Sequence, residues 1–159
     1  MAYINASETG QFVTLEISTS TISTTATTGN IVVPGLQNIT LNNGNGVFRW
    51  KQLDSGSELA IAIAATNQIS MNIVLDPDSY FGRSAGTSGT ADRNGLFKLS
   101  NDKTLVYFRL YYSGKSTGDN FVTGSGYLTG LAPTIQPDQP VWVAPLTIDV
   151  VGDFTPGTL

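Results

Sequence analysis

Cysteine and histidine are both missing from this chain of 159 residues. Their absence removes disulfides, thiolate catalysis, imidazole bases, histidine pH switches and most zinc sites at once. Charge is scarce as well: Asp, Glu, Lys and Arg make up 13% of the residues, about half the quarter usual for soluble domains. The polar surface must therefore be built largely from Ser, Thr, Asn and Gln. Low charge also removes a repulsion that keeps copies of a protein apart. The longest apolar run, residues 59–65, falls far short of the roughly 20 residues needed for a membrane-spanning helix. The opening Met1-Ala-Tyr-Ile-Asn has neither the basic nor the apolar block of a secretory leader, so synthesis in the cytoplasm is expected.

What charge there is has an uneven layout. All eight basic residues lie between Arg49 and Lys115, and beyond Lys115 the only charges are Asp119, Asp138, Asp149 and Asp153. A sequence-reading nucleic-acid interface built on Lys and Arg is therefore not expected, whereas a surface that repels DNA fits. At 40% hydrophobic residues the chain has enough apolar material for one ordinary core without covalent staples. A single domain over residues 1–159 is expected, with a Ser/Thr-rich N-terminal segment, 1–30, and a short C-terminal tail, 152–159.

Strand signals dominate. Phe12-Val-Thr-Leu-Glu-Ile-Ser alternates Val13, Leu15 and Ile17 with Phe12, Thr14, Glu16 and Ser18, a half-buried strand. The Ser/Thr-rich residues 18–30 read as an exposed loop. Ile31-Val-Val, a Pro34-Gly35 turn and Ile39-Thr-Leu follow, and Asn42-Asn-Gly-Asn-Gly46 reads as a hairpin connection. Residues 47–53 and 68–75 are expected to be strands, the second with Ile69, Met71, Ile73 and Leu75 on one face. Between them lies a long segment, 54–67. Asp76-Pro77 ends the strand, and Thr90 or Asp92 is placed to cap one short helix reaching Ser100. Residues 104–112, 121–131 and 141–151 complete the strand set. The expected fold is all-β, a barrel or sandwich of at least six mainly antiparallel strands with one short flanking α-helix.

Four patterns invite chemical readings and each has a plainer one. Gly114-Lys115-Ser116 follows a strand, but the earlier glycine of a phosphate loop would sit at Arg109 and no helix pattern follows, so it reads as a turn. Ser100-Asn-Asp-Lys103 has the serine–lysine spacing of penicillin-binding enzymes without their companion motifs, and reads as a helix-to-strand turn. Asp76 and Asp78 suggest a calcium loop until Tyr80 and Phe81 fall where it wants an oxygen ligand and glycine. Tyr107, Phe108, Tyr111 and Tyr112 have the makings of a stacking platform, yet their spacing is that of a strand buried on both sides. The sequons Asn5-Ala-Ser7 and Asn38-Ile-Thr40 carry no meaning without secretion. No catalytic residue, metal ligand or cofactor is nominated, and an enzyme is not expected. A small carbohydrate-active sandwich would need two carboxylates whose separation is spatial rather than sequential.

The order of segments, more than any reactive residue, points further. Val47-Phe-Arg-Trp-Lys-Gln-Leu-Asp-Ser55, the segment 54–67, a polar–apolar strand ending in Asp76-Pro77, a short helix near residues 92–100 and the strand 104–112 follow one another. Then come Phe121-Val-Thr-Gly-Ser-Gly-Tyr-Leu-Thr-Gly-Leu, a proline-bearing turn with Asp138, the strand 141–151 and Gly152-Asp153-Phe154. Across residues 31–154 this order resembles the tail tube proteins of siphophages and myophages. The chain departs from them at Gln52, where threonine is usual, and in its Ser/Thr-rich start.

The resemblance implies a structural virion protein that stacks as hexameric rings into a hollow tube conducting phage DNA without specific binding. It implies partners that are other copies of the chain, a sheath, a tail terminator and baseplate proteins, in a tail assembled in the host cytoplasm. It further implies that the long loop reaches neighbouring subunits, which nominates Leu53, Asp54, Ser55, Glu58, Ala65 and Asn67. The tail residues Gly152, Asp153 and Phe154 are nominated for contact with an adjacent ring. The alternative reading is a β-domain of a capsid decoration protein or receptor-binding fibre.

Overall fold

Alternation of apolar and polar residues drives this chain into strands. The computed structural model describes residues 13–22, 30–33, 35–54, 56–82, 95–112 and 115–159. Eight strands appear among them: β1 (Thr14–Ser18), β2 (Ile31–Val32), β3 (Leu36–Lys51), β4 (Glu58–Val74), β5 (Leu105–Tyr111), β6 (Asn120–Thr129), β7 (Val143–Val150) and β8 (Thr155–Thr158). They form one antiparallel sheet in the order β2-β1-β5-β6-β7-β4-β3. The free edge of β6 is shared, its first residues pairing with β8 and its last with β7. The all-β expectation holds, with more strands than the six required. Closure does not: β2 and β3 stand at opposite ends of the sheet, which stays open. A two-residue β2 offers too few backbone groups to zip against the 16 residues of β3.

The register lines up one apolar face. Leu15 and Ile17 of β1 face Leu110 and Phe108 of β5, while Ile69, Met71 and Ile73 of β4 face Ile148, Leu146 and Ala144 of β7. All are buried. Each such side chain contributes roughly 1.5–3 kcal/mol relative to an exposed one. Glycines make room where large side chains cross the sheet. The Phe108 ring lies over its cross-strand partner Gly124, where an added Cβ would meet the ring at 2.7 Å, and Phe121 lies over Gly157 in the same way at 2.4 Å. A ring covering a strand glycine restores the burial that the missing side chain forfeits.

Two short helices cover one end. Helix α1 (Pro77–Phe81) was not expected from the sequence. Asp76 ends the strand as anticipated, but its carboxylate also accepts from the Ser79 amide at 3.0 Å and the Ser79 hydroxyl at 3.1 Å, with Pro77 opening the first turn. Aspartate at the cap followed by proline is a helix start as much as a strand stop. Helix α2 (Leu96–Asn101) matches the helix expected up to Ser100, capped at Gly95; the expected caps Thr90 and Asp92 lie outside the described residues. Its Leu96 and Leu99 enter the core, and the Ser100 hydroxyl donates to the Leu128 carbonyl at 3.2 Å.

The largest correction concerns residues 42–67. Asn42, Asn43 and Gly44 are not a hairpin turn; they continue β3, opposite Gln68, Asn67 and Thr66. The segment read as a long loop is mostly β4. Its Leu59, Ile61 and Ile63, each separated by alanine, are a strand alternation whose small partners weakened the signal. The turn falls instead near Asp54 and Gly56. Strand β8 is a second addition, formed by residues of the expected tail. Pro156 is tolerated there because β8 is an edge strand, where a missing donor faces away from the ladder.

Leu146→Ala, at the centre of the β4–β7 core, should lower unfolding free energy by about 2–5 kcal/mol. Denaturant titration checks this, with the midpoint falling and the slope unchanged.

Candidate functional site

Strand β4 pairs with β7 only from Gln68 onward. Residues 58–67 therefore pair with β3 alone, and with residues 43–51 they form a two-stranded arm. Along this arm Gly44 faces Thr66 but Gly46 faces Ile63, so β4 spends one extra residue in a bulge. The bulge decides the arm's chemistry. It sets Phe48 opposite Ile61 and Trp50 opposite Leu59, with Ile63 over Gly46. In unbroken register Phe48 and Trp50 would instead oppose Ala62 and Ala60, because a one-residue slip moves side chains to the other face. One face is consequently all apolar, and the Phe48 and Trp50 rings stack at 5.9 Å. The other carries Val47, Arg49, Lys51, Glu58, Ala60 and Ala62. Phe48, Ile61 and Ile63 are 56%, 57% and 54% exposed. Such a contiguous apolar patch on a strand ribbon marks an association surface.

The sequence-nominated residues separate into three groups. Leu53 and Asp54 are exposed in the turn at the arm's tip, Ser55 lies outside the described residues, and Glu58 opens β4 opposite Lys51. Ala65 falls within the bulge. Asn67 sits at the arm's base, buried, and its side-chain amide donates to the Gly152 carbonyl at 2.8 Å and to Asp153 Oδ1 at 3.5 Å. Phe154 packs edge-on to Phe108 with ring centres 6.2 Å apart. Asn67 thus meets the nominated tail residues within one protomer, and the following β8 returns to the same sheet. Within the protomer the tail is held down on its own sheet. The arm's aromatic pair, Phe48 and Trp50, was missed by sequence reasoning although both stand in the expected strand 47–53; only the register shows them sharing a face with Leu59 and Ile61.

Across β3, β4, β7 and the end of β6, the sheet face opposite the core is polar and nearly uncharged. Register places Asn42, Gln68, Asp149 and Tyr127 in one row across β3, β4, β7 and β6, and Thr40, Ser70, Thr147 and Thr129 in the next. Asp149 is the one charged residue of these rows, and both its oxygens are engaged, by Gln68 Nε2 at 2.8 Å and the Thr129 hydroxyl at 2.9 Å.

Charges elsewhere serve the fold. Lys115, the lysine of the glycine-lysine-serine triplet, forms an ion pair with buried Glu16, which also accepts from the Tyr111 hydroxyl at 3.3 Å. Partial burial pushes the Lys115 amine below its usual range. Arg109, buried in β5, donates to the Ile22 carbonyl at 2.7 Å and lies 4.3 Å above the Phe121 ring. Of the aromatic stripe, Phe108 and Tyr111 are buried on opposite faces of β5, while Tyr107 is half-buried and Tyr112, just past the strand, is exposed. At the Ser100–Lys103 turn, Lys103 is the left-handed residue (φ 51°) that ends α2. Among the described residues no cluster of three or more Asp or Glu is disposed to hold a metal.

The open antiparallel sheet with its projecting hairpin and two covering helices shares its fold with solved tail and tube proteins. The chain is similar to the tail of an empty gene transfer agent particle of C6 symmetry, at 11% identity and TM-score 0.60 over 96% of this chain and 98% of that one. It is similar also to the SPP1 tail tube, at 10% identity and TM-score 0.65 over 95% and 79% of the two chains. A third is the sheath–tube complex of an extracellular contractile injection system, at 9% identity and TM-score 0.55 over 93% and 89%. No protein-family model and no curated protein sequence matches the chain.

Asn67→Ala would leave the Gly152 carbonyl without its donor and should cost about 1–3 kcal/mol. Hydrogen exchange is the check: the Thr155 and Gly157 amides should exchange faster than in the parent, and unchanged rates would place the tail's anchor elsewhere.

Proposed function

We propose that this protein is a structural tail-tube subunit whose copies assemble into hexameric rings that stack into a hollow conduit for DNA. The observation that carries the proposal is the apolar arm, projecting from a fold shared with tube proteins along nearly the whole chain. A monomer has no use for that surface in water, whereas a ring closes it against a neighbour. The same fold similarity makes this reading preferable to a capsid decoration or fibre domain, and a non-enzymatic role follows from it.

The polar rows across β3, β4, β7 and β6 are the proposed lumen wall. A conduit should not grip phosphate, because each lysine or arginine that neutralises one adds a salt-dependent attachment. Thr, Ser, Asn and Gln offer hydrogen bonds without that attachment, and Asp149 repels. The tip residues Leu53 and Asp54 would reach a neighbouring subunit, while Gly152, Asp153 and Phe154 would meet an adjacent ring from their pinned position. Sheath, terminator and baseplate proteins are the further partners, in a virion tail assembled in the host cytoplasm.

Negative-stain images of the purified protein should contain rings or hollow filaments of uniform width; discrete trimeric knobs would overturn the proposal. On such tubes, Ser70→Lys should create retention of duplex DNA at low salt that the parent lacks. Salt-sensitive DNA binding by the parent tubes would argue against the lumen assignment.

A further inference from the structure

We propose that Glu16 is a two-position carboxylate: held by Lys115 in this structure, it passes to Arg109 across the ladder when Lys115 withdraws. The inference is independent of the tube reading and concerns β1, β5 and the first residues of β6, on the sheet face opposite the core.

Register brings the groups together. Glu16 of β1 lies directly opposite Arg109 of β5, and Tyr111, two residues on, shares their face and pairs with Phe121 of β6. Opposed residues in a ladder have Cβ atoms about 5 Å apart, so the Glu16 carboxylate can reach the Arg109 guanidinium. It is engaged elsewhere. One oxygen takes the Lys115 ammonium, and the other accepts from the Tyr111 hydroxyl at 3.3 Å and the Asn30 side-chain amide at 3.5 Å. Arg109 takes part in neither ion pair among the described residues. Its Nη2 donates to the Ile22 carbonyl at 2.7 Å, and its guanidinium carbon lies 4.3 Å above the Phe121 ring. Among the described residues nothing accepts from its buried Nε and Nη1 atoms.

Burial gives this arrangement its consequence. Glu16 and Arg109 are 5% and 6% exposed, whereas the Lys115 side chain is 41% exposed. A buried carboxylate stripped of its cation is strongly destabilising, and buried N–H groups without acceptors carry a desolvation penalty of their own. Transfer of Glu16 to Arg109 relieves both, through the strong charge-assisted hydrogen bonding that arginine and carboxylate make. What is given up is a pair whose cation already stands partly in water, and such pairs are worth little.

The exchange frees more than one side chain. Lys115 leads into a turn in which the Ser116 amide donates to Asp119 Oδ2 at 2.7 Å. That turn grips the end of β8: the Gly118 amide donates to the Leu159 carbonyl at 2.9 Å, and the Leu159 amide to the Asp119 carbonyl at 3.0 Å. With Arg109 in reserve, turn and strand end can shift together without stranding a charge in the sheet. The two positions are linked, so an external anion that draws Lys115 away favours the Arg109 pair, and the reverse.

Lys115→Gln, Arg109→Gln and the double variant, each in the full chain, test the exchange. Lys115→Gln should lower the folding equilibrium constant by no more than about tenfold, the cost of an exposed pair. In the same variant the Arg109 Nε–H proton, followed by NMR, should move downfield and exchange with water more slowly than in the parent, as a charge-assisted bond requires. The double variant leaves the buried carboxylate without a cation and should lose roughly a hundredfold beyond the product of the single effects. Adding Glu16→Gln should return most of that loss. A loss of roughly a hundredfold from Lys115→Gln alone, or its failure to fold, would overturn the exchange. So would single effects that simply multiply in the double variant, or an Arg109 Nε–H proton that stays where it was. Where Arg109→Gln does not fold by itself, that proton decides the matter in Lys115→Gln.

Discussion

β4 is 17 residues long, and β7, its partner on the inner side, is 8. That mismatch in hydrogen-bonding length governs much of what the structure presents. Where both neighbours are present, β4 is a central strand and its Ile69, Met71 and Ile73 are sealed in the core. Where β7 has ended, the same strand continues with one partner and no second layer. The backbone polar groups of residues 58–67 are satisfied on the β3 side, so the ribbon persists, but nothing covers its faces. Burial stops before pairing does, and the apolar side chains beyond that point stay exposed.

The bulge between the Gly44–Thr66 and Gly46–Ile63 pairs turns this accident of length into a defined surface. Without it, large and small residues would alternate across the ribbon and each face would carry two or three isolated apolar groups. With it, they gather on one side. At the arm's base the fold is tightened again by Asn67, whose side chain joins a position early in the chain to the turn before β8. The arm is thus anchored to the closing strand of the sheet through one buried amide. Polar rows on the other half of the sheet keep their one carboxylate engaged on both oxygens.

Much of the core was legible in advance because period-2 alternation is a local property. Leu15 and Ile17, Ile69 through Ile73, and Phe108 through Tyr111 all fall where their spacing put them. The misreadings within the sheet share one cause: they depend on which residues face each other. Alanine between isoleucines looked like loop, and Asn42-Asn-Gly looked like a turn, because neither pattern reveals that residues 36–51 have a partner of matching length. Proline and glycine are poor strand formers, and Pro156 and Gly157 join a strand only because Val122 and Phe121 of β6 lie opposite them. Asp76-Pro77 carried a helix start that was read only as a strand stop.

By itself the sequence determined a cysteine-free, histidine-free, weakly charged β protein, along with its strand periodicity and the segment order that resembles tube proteins. These are set by residue identity and short-range sterics. The tertiary structure alone decided that the sheet stays open, that the tail folds back as β8, that Glu16 is buried with Lys115, and that Phe48, Trp50, Leu59, Ile61 and Ile63 share one exposed face. Each of those depends on register between distant segments, and a shift of one residue reverses every side chain it touches.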